Sequence, residues 1–283
     1  MLLHPRHRGR QSTESARIDW SSPLSAGLVY SLNLAGVPTA AAGTLGAIST
    51  SGTVSKALSA GKFGLLSGIS GSGAVWSAAN PNDGLLQNGP VTHAFLAKIT
   101  SVDSNFGTLF RVSNSSDVPC ISAQRNGTSN DLIVFRGSGN GPIFSGVVGS
   151  IADGAQHLVV ISSAGTDPAS EAHLWVDGLK YTATHPGGNG STPTSGVSLR
   201  LFSYKLGDPA FGSDGEWYQH HVWNRMLGDA EVAALTENPQ RLYSQRRIWV
   251  PQAAITGLPT LSLPTYTPGS LTATGFRPRV TAT

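Results

Sequence analysis

The feature that most constrains the fold is a series of short apolar stretches separated by turn-forming residues. Repeated short strands with frequent turns are typical of a β-sandwich or barrel. An amphipathic helix would need apolar residues three and four positions apart over longer segments. The sequence therefore predicts an all-β fold, whose clearest strands lie at 94–99, 107–112, 131–135, 157–161, 172–176 and 197–202.

Composition supports this prediction. The 283 residues include 34 Gly and 17 Pro, and only 12% are charged, against about 25% in ordinary soluble domains. Glycine and proline favour turns over helices. Apolar residues make up 39% of the chain, which is too many for a disordered protein. The single cysteine excludes an intrachain disulfide.

Two neighbouring segments mark the beginning of the predicted sandwich. Residues 28–34 alternate and place four apolar side chains on one face, which predicts a first strand. Residues 35–61 are rich in Ala, Gly, Ser and Thr, and this pattern predicts weak strands at most. The four side chains of the first strand are Leu28, Tyr30, Leu32 and Leu34.

One helix is predicted near the end of the sandwich, at Asp229–Asn238. Asp229 can cap the first turn. Val232 and Leu235 form an apolar stripe, and Pro239 follows the end of the segment.

Three regions follow from these patterns. Residues 1–16 are polar and lack periodicity, which indicates an N-terminal arm. Residues 17–250 hold the predicted sandwich. Residues 251–283 contain five prolines among Thr, Leu, Gly and Ser, and this composition predicts an extended C-terminal arm because proline disrupts helices and central strands.

The formal charge of +3 conceals an asymmetry. Residues 1–20 and 239–283 together hold nine basic and two acidic residues, a net +7, whereas residues 21–238 hold ten basic and fourteen acidic residues, a net −4. Because the positive charge lies outside the body, we expect the arms to dock on an acidic protein surface and not on nucleic acid. The expected assembly residues are Arg6, Arg8, Arg10, Arg246, Arg247, Arg277 and Arg279.

A first motif pairs two strands. Residues 153–160 read D-G-A-Q-H-L-V-V, and residues 172–178 read A-H-L-W-V-D-G. This pair resembles the signature of laminin-G-like domains, in which a D-G-x-W-H strand precedes a strand that ends in V-D-G. Gln156 stands where the family usually has Trp. The resemblance implies a concanavalin- or laminin-G-like jelly-roll sandwich.

A second motif closes the predicted sandwich. Residues 215–227 read G-E-W-Y-Q-H-H-V-W-N-R-M-L and lead into the helix and the segment 237–243. This stretch resembles the last strand and closing helix of the same jelly roll. The segments 17–30, 237–243 and 275–280 also look like structural proteins of tailed-bacteriophage particles.

The resemblance to phage proteins implies a non-enzymatic virion part, either a head decoration or fibre protein or a tail accessory protein. Its partners would be other virion proteins and itself, as a homo-oligomer and, on analogy, a trimer. The start of the chain lacks the apolar stretch of a signal peptide, and no apolar run is long enough to span a membrane. We therefore expect synthesis in the bacterial host cytoplasm and localisation in the virion.

A glycosidase needs a catalytic pair of carboxyl groups about 5–9.5 Å apart. On the strand 171–177, Glu171, His173, Trp175 and Asp177 share a face. Glu171 and Asp177 are about 20 Å apart along an extended strand. The chain also lacks common hydrolase and nucleotide-binding motifs. We therefore expect no catalysis.

Neither a metal nor another cofactor is predicted. His220 and His221 are adjacent in a strand and point to opposite faces, so they cannot hold one ion together. We expect one of them inward, beside Trp217 and Trp223, and the other outward. The carboxylates of Asp83, Asp208 and Asp214 lie in predicted turns and could bind calcium. Aspartate is common in turns for conformational reasons, so no calcium site is predicted.

The alternative function is a glycan-binding adhesin that attaches the particle to host surface polysaccharide. Sandwich lectins stack sugar rings on exposed aromatic side chains. The candidates are Trp76, Trp175 and Tyr204, and each is also suited to a core or interface. A polysaccharide-degrading enzyme is the third hypothesis.

Overall fold

A computed structural model describes most of the central part of the chain. The described residues are 17–35, 39–42, 48–79, 89–102, 106–113, 119–126, 131–136, 144–147, 151–165, 171–182, 198–202 and 213–243. In these ranges the chain is a sandwich of two β-sheets with one α-helix. The predicted all-β sandwich with one short helix is confirmed. Both arms, 1–16 and 251–283, lie outside the described residues.

The first sheet is antiparallel, and strand β14 lies at its centre. β14 pairs with β5 on one side and with β1 and the first half of β4 on the other. β10, β11 and β12 extend the sheet beyond β5, and β2 pairs with β1. The strands are β1 Leu28–Asn33, β2 Thr39–Ala42, β4 Gly64–Ala79, β5 Val91–Val102, β10 Gln156–Ser163, β11 Ala172–Val176, β12 Leu179–Thr182 and β14 Ser213–Trp223.

The second sheet begins where β4 leaves β14. The last part of β4 pairs with β13, and the sheet continues in the order β13, β6, β7, β8, β9. β4 therefore belongs to both sheets, and β3 pairs with it along almost its whole length. These strands are β3 Ile48–Gly61, β6 Phe106–Ser113, β7 Pro119–Asn126, β8 Asp131–Arg136, β9 Phe144–Val147 and β13 Ser198–Leu201.

The main core lies between the two sheets. Its centre is an aromatic group in which the rings of Phe95 and Trp217 are 4.9 Å apart and stacked, and Phe110 meets Phe95 edge-on at 5.1 Å. Each of these rings is at most 1% exposed. Alternating residues of β5, β6, β10 and β13 complete this core, as the hydrophobic alternation of those strands predicts.

A second core covers the opposite face of the first sheet. It is closed by the N-terminal segment 17–27, the helix α1 Asp229–Glu237 and the short 3-10 helix Pro239–Leu242. Val232 and Leu235 of α1 are buried there, as predicted. Alternate residues of each central strand therefore enter different cores, and the first sheet has no solvent face at its centre.

Two β-bulges change which residues share a face. The register of β1 shifts between Leu28 and Tyr30, so that Leu28 joins the second core while the other residues of the predicted stripe remain in the first. The register of β14 shifts between Trp217 and Gln219. Trp217 consequently lies in the first core and Trp223 in the second. The prediction that both tryptophans flank one inward histidine is wrong, because a bulge adds one residue to the alternation.

The prediction of weak strands at 35–61 is also wrong, because β3 is a 14-residue strand. Its side chains are exposed or half-buried along most of its length. An edge strand of this kind needs no apolar alternation, so its sequence carries no periodic signal. The backbone pairing with β4 determines its structure.

The N-cap of the helix lies one residue before the predicted one. Gly228 is the N-cap, and its N–H donates to the Glu231 carboxylate at 3.0 Å. Asp229 is the first helical residue, and its carboxylate instead accepts a hydrogen bond from the Trp175 indole at 3.1 Å. Asp229 therefore fixes the helix to β11.

Substitution of Trp217 tests the main core. Trp217→Ala should lower the free energy of unfolding by about 3–5 kcal/mol, because it leaves a cavity between the sheets. Trp20→Ala is the matched control, since Trp20 is 62% exposed and its loss should change stability by less than about 0.5 kcal/mol. Urea denaturation followed by fluorescence measures both. Equal effects of the two substitutions would contradict this assignment of the core.

Candidate functional site

The first sequence motif forms a polar cluster at the start of β10. His157 lies between two carboxylates: its Nδ1 is 2.9 Å from Asp177 Oδ2, and its Nε2 is 3.0 Å from Asp153 Oδ1. Lys62, in the turn between β3 and β4, is 3.1 Å from the same Asp177 oxygen. The cluster therefore joins three separate turns.

Backbone geometry explains the spacing of this motif. Asp177 has a φ of 54° and Gly178 a φ of 86°, so the β11–β12 turn uses two left-handed residues in succession. Asp-Gly is a favoured dipeptide for such a hairpin turn. The Asp177 N–H donates to Leu158 O at 2.9 Å, and Asp177 Oδ1 accepts from the Leu158 N–H at 3.0 Å. Asp177 thus holds the hairpin to β10 through backbone and side chain.

The charged forms of His157 and Asp177 stabilise each other. Hydrogen bonding to Asp177 raises the pKa of His157 above its usual range, although burial opposes this shift. Burial also opposes ionisation of Asp177, but hydrogen bonds from His157 and from the Leu158 N–H lower its pKa. The His157 side chain is 14% exposed. The two carboxylates therefore stabilise the protonated form of His157, and the cluster is a structural clamp.

Gln156, which stands where laminin-G-like domains usually have Trp, makes three hydrogen bonds in this chain. Its Oε1 accepts from the Phe63 N–H at 3.0 Å, and its Nε2 donates to Ser59 O at 3.1 Å and to Gly64 O at 3.3 Å. The amide therefore ties the β3–β4 turn to β10. A Trp side chain at this position could accept no hydrogen bond from Phe63.

The second sequence motif fastens the N-terminal segment to the helix. The Trp223 indole donates to Leu24 O at 2.7 Å, and Arg225 Nε donates to Ala26 O at 2.7 Å. The remaining guanidinium nitrogens of Arg225 pair with both carboxylate oxygens of Glu231 at 2.8 and 2.6 Å. Glu231 also caps the helix, so the motif W-N-R-x-L joins strand, helix and N-terminal segment.

His220 and His221 point to opposite faces of β14, as predicted, but both are buried. His220 Nε2 is 3.1 Å from His93 Nδ1 in the main core. His221 Nδ1 is 2.9 Å from Ser31 Oγ in the second core. The prediction that one of them points to solvent is wrong, because the second core covers that face. Burial lowers the pKa of each to about 3, so both are neutral near pH 7.

Of the three predicted sugar-stacking side chains, the structure describes that of Trp175. Trp175 is 2% exposed in the second core, and the Lys180 ammonium lies 5.2 Å from its ring. It therefore presents no free ring face to a sugar. Trp76 lies in β4, but its side chain is outside the described part. Tyr204 lies outside the described residues.

The acidic residue just before β11 and the two in β14 have partners. Glu171 pairs with His173, and Glu216 pairs with Lys98 at 3.0 Å and accepts from the Tyr218 hydroxyl at 2.8 Å. The Asp214 carboxylate accepts from Ser101. Asp83 and Asp208, the other calcium candidates, lie outside the described residues. Within the described ranges, no group of three or more His, Cys, Asp and Glu side chains is placed to hold a metal ion.

The two ends of the described sandwich meet. Ile18 and Tyr243 form an antiparallel bridge, and the Asp19 N–H donates to Leu242 O at 2.9 Å. Exposed side chains flank this bridge: Trp20 is 62% exposed, and Arg17 and Arg241 are exposed as well. We call residues 17–20 and 241–243 the attachment pole. Sequence patterns gave no indication of it, because the two segments are more than 200 residues apart.

Comparison with solved structures gives the fold and no more. Trypanosoma rangeli sialidase matches with a TM-score of 0.51 and 14% identity, over 78% of this chain and 34% of that chain. Domain 4 of an extracellular arabinanase from Geobacillus stearothermophilus, in complex with arabinotriose, matches with a TM-score of 0.51 and 14% identity, over 74% of this chain and 98% of that domain. The binding domain of botulinum neurotoxin DC, in complex with SialylT, matches with a TM-score of 0.50 and 10% identity, over 75% of this chain and 52% of that chain.

These matches confirm the β-sandwich. The chain spans about a third of the sialidase it matches. Neither a protein-family model nor a curated protein matches it. No helix among the described residues is long and apolar enough to cross a membrane.

The His157 clamp predicts a dependence of stability on pH. Because the folded pKa of His157 is raised above its unfolded value of about 6.5, its contribution is complete below that value and is lost as the pH rises through the folded pKa. His157→Gln should therefore cost about 1–3 kcal/mol near pH 5.5 and less near pH 8.5. Urea denaturation at both pH values measures the difference.

Asp177→Asn is the matched control for backbone strain. Asn tolerates a positive φ and keeps the hairpin, but it removes the carboxylate that holds His157. NMR titration should then show a lower His157 pKa than in the unmodified chain. A pKa of His157 that stays unchanged in this variant would contradict the clamp.

Proposed function

We propose that the chain is a non-enzymatic binding module that docks on a neighbouring protein through its attachment pole. The antiparallel bridge between Ile18 and Tyr243 carries this proposal. Because those residues are neighbours, the chain segments before residue 17 and after residue 243 both start from one place.

The surface of the pole supports docking on protein. Trp20 is a large exposed apolar side chain beside two exposed arginines, Arg17 and Arg241. Trp and Arg are the residues most enriched at the energetic centres of protein interfaces. The segments 1–16 and 244–283 carry basic residues in excess of acidic ones, so the partner surface we propose is acidic.

The described carboxylates support a module without catalysis. A glycosidase acid must hold its proton near neutral pH, which requires a raised pKa. Among the described residues, every carboxyl group whose pKa departs clearly from its ordinary value has a lowered pKa, with hydrogen bonds as the common cause of lowering. These groups are Asp19, Asp153, Asp177, Asp229 and Glu231.

We propose the particle of a tailed bacteriophage as the assembly, with the chain as a head decoration, fibre or tail accessory protein. The sequence resemblance at 17–30, 237–243 and 275–280 supports this context. The segments 17–30 and 237–243 contain the attachment pole, the start of β1 and the 3-10 helix Pro239–Leu242. The proposed virion part is a homo-oligomer, and the sandwich projects from it.

Substitution at the pole tests docking. Trp20→Ala should reduce the copy number of the chain in particles purified from the cells that make it, by about tenfold or more, because truncation of an interface Trp costs about 2 kcal/mol or more. Leu179→Ala is the matched control, since Leu179 is also 62% exposed but lies in the β11–β12 hairpin. Quantitative mass spectrometry of the particles measures both. Absence of the native chain from every particle would overturn the phage context.

Charge reversal tests the acidic partner. Replacing Arg6, Arg8 and Arg10 by Glu should reduce incorporation, and so should replacing Arg246 and Arg247, because each change opposes an acidic surface. A Lys replacement at the same positions keeps the charge and should restore incorporation. Normal incorporation of both Glu variants would contradict docking through the arms.

A second candidate function is glycan binding. It is supported by the ligands of the structural neighbours, since two of them are in complex with arabinotriose and SialylT. A glycan array probed with the full chain tests this function directly. Tyr204→Ala and Trp76→Ala should weaken any binding if aromatic stacking carries it. No binding to any sugar would exclude this candidate and leave the docking module standing.

A further inference from the structure

Strand β3 has a long edge that no described strand covers. Within the described ranges β3 pairs with β4 alone, and every second residue of such a strand points its N–H and C=O away from the partner. The ladder is regular over residues 53–61, after the register shift between Ser51 and Thr53. None of these nine residues is buried, since six are exposed and three are half-buried. The edge is therefore accessible.

Edge strands normally carry features that prevent pairing with another chain. Natural edges are short, or they carry charges, prolines or bulges. The other strands at the ends of the described sheets, β2, β9 and β12, have four residues each, whereas β3 has 14. Residues 53–61 include one charged residue, Lys56, and no proline. This segment is thus open to the addition of a further strand.

One face of this edge is apolar. Leu58 pairs with Ser67, and Ala60 pairs with Leu65, which places Leu58 and Leu65 diagonally on the same face of the β3–β4 hairpin. Leu58 is 69% exposed and Leu65 is 46% exposed. They are two of the four large apolar side chains that are exposed among the described residues. Exposed apolar side chains that lie together favour a contact with another protein surface.

A second copy of the chain fits this edge. Two identical antiparallel strands are related by a two-fold axis, so each edge supplies the donors and acceptors that the other needs. One register places Leu58 opposite its own copy, and every pair beside it then contains at least one small residue. These pairs are Ala57 with Ser59, Lys56 with Ala60 and Ser55 with Gly61.

The same register keeps the positive charges of the two edges apart. Lys56 of one copy lies four positions from Lys56 of the other, which is about 13 Å along the strands. Salt screens exposed charges beyond about 8 Å at physiological ionic strength. The two Leu58 side chains meet directly, and such cross-strand pairs stabilise a sheet. A register centred nearer Lys56 would bring the lysines closer together and separate the leucines.

We propose that β3 is a dimerisation edge: two copies of the chain pair antiparallel through residues 55–61, with Leu58 beside its own copy. This inference rests on the proposed homo-oligomer and names its contact. It uses no residue of the attachment pole and does not depend on the phage context. A two-fold contact gives a dimer or an assembly built from dimers, in contrast to the trimer expected on analogy.

Sedimentation of the full chain over a range of concentrations tests the proposal. We expect a dimer that dissociates on dilution. Leu58→Lys places two like charges opposite each other and should weaken dimerisation about tenfold or more. The melting temperature of the dilute monomer should not change, because the side chain is exposed. Leu179→Lys makes the same change at a leucine of β12 that is 62% exposed, and as the matched control it should leave the dimer intact.

Two further measurements test the register and the backbone pairing. An equimolar mixture of Leu58→Lys and Leu58→Glu chains should dimerise more strongly than either variant alone, because opposite charges then face each other. Amides of residues 55–61 that point away from β4 should exchange their hydrogens more slowly in the native dimer than in the Leu58→Lys chain, since they gain hydrogen-bond partners.

Each possible failure has a distinct reading. A native chain that stays monomeric at millimolar concentration would overturn the interface. A dimer that Leu58→Lys leaves intact, or that Leu179→Lys weakens equally, would do the same, and so would a mixture no stronger than its components. Docking at the attachment pole would still stand in all these cases, because incorporation of the Trp20→Ala chain into particles measures it separately.

Discussion

The first sheet is covered on both faces, and the rest of the structure depends on that constraint. Phe95 and Trp217 enter the core between the sheets, whereas Tyr218 and Trp223 enter the core beneath the helix. The second core exists only because residues 17–27 and α1 lie over the sheet. The bonds of Trp223 to Leu24 and of Arg225 to Ala26 and Glu231 hold that cover in place.

This cover also explains the meeting of the two chain ends. The N-terminal segment must cross the sheet to reach β1, and the C-terminal segment must cross it after α1. Their antiparallel bridge at Ile18 and Tyr243 closes the second core. Closure of the second core thus places Ile18 and Tyr243 next to each other, and the docking proposal depends on that neighbourhood.

Sequence reasoning located strands where burial requires alternation, as in β5, β10 and β11. It failed where backbone pairing or a β-bulge determines the structure. The edge strand β3 is held by backbone pairing and has no apolar pattern, and the bulges in β1 and β14 add a residue that no local pattern marks. Of the predicted site residues, Trp175 proved to be buried, because a face that reads as polar is covered by α1. The two buried arginines of the second sheet, Arg111 and Arg200, gave no sequence signal, since a single charged residue in a strand usually faces solvent.

The sequence by itself determined the all-β class, the short helix, the paired motif around His157 and Asp177, and the concentration of positive charge outside the body. Each of these depends on residues that are close in the chain or on composition. Tertiary structure alone decided the two-sided burial of the first sheet, the burial of His221, the attachment pole and the burial of Arg111 and Arg200. Those features join residues far apart in the chain, and their contacts exist only after strands from both sheets have packed.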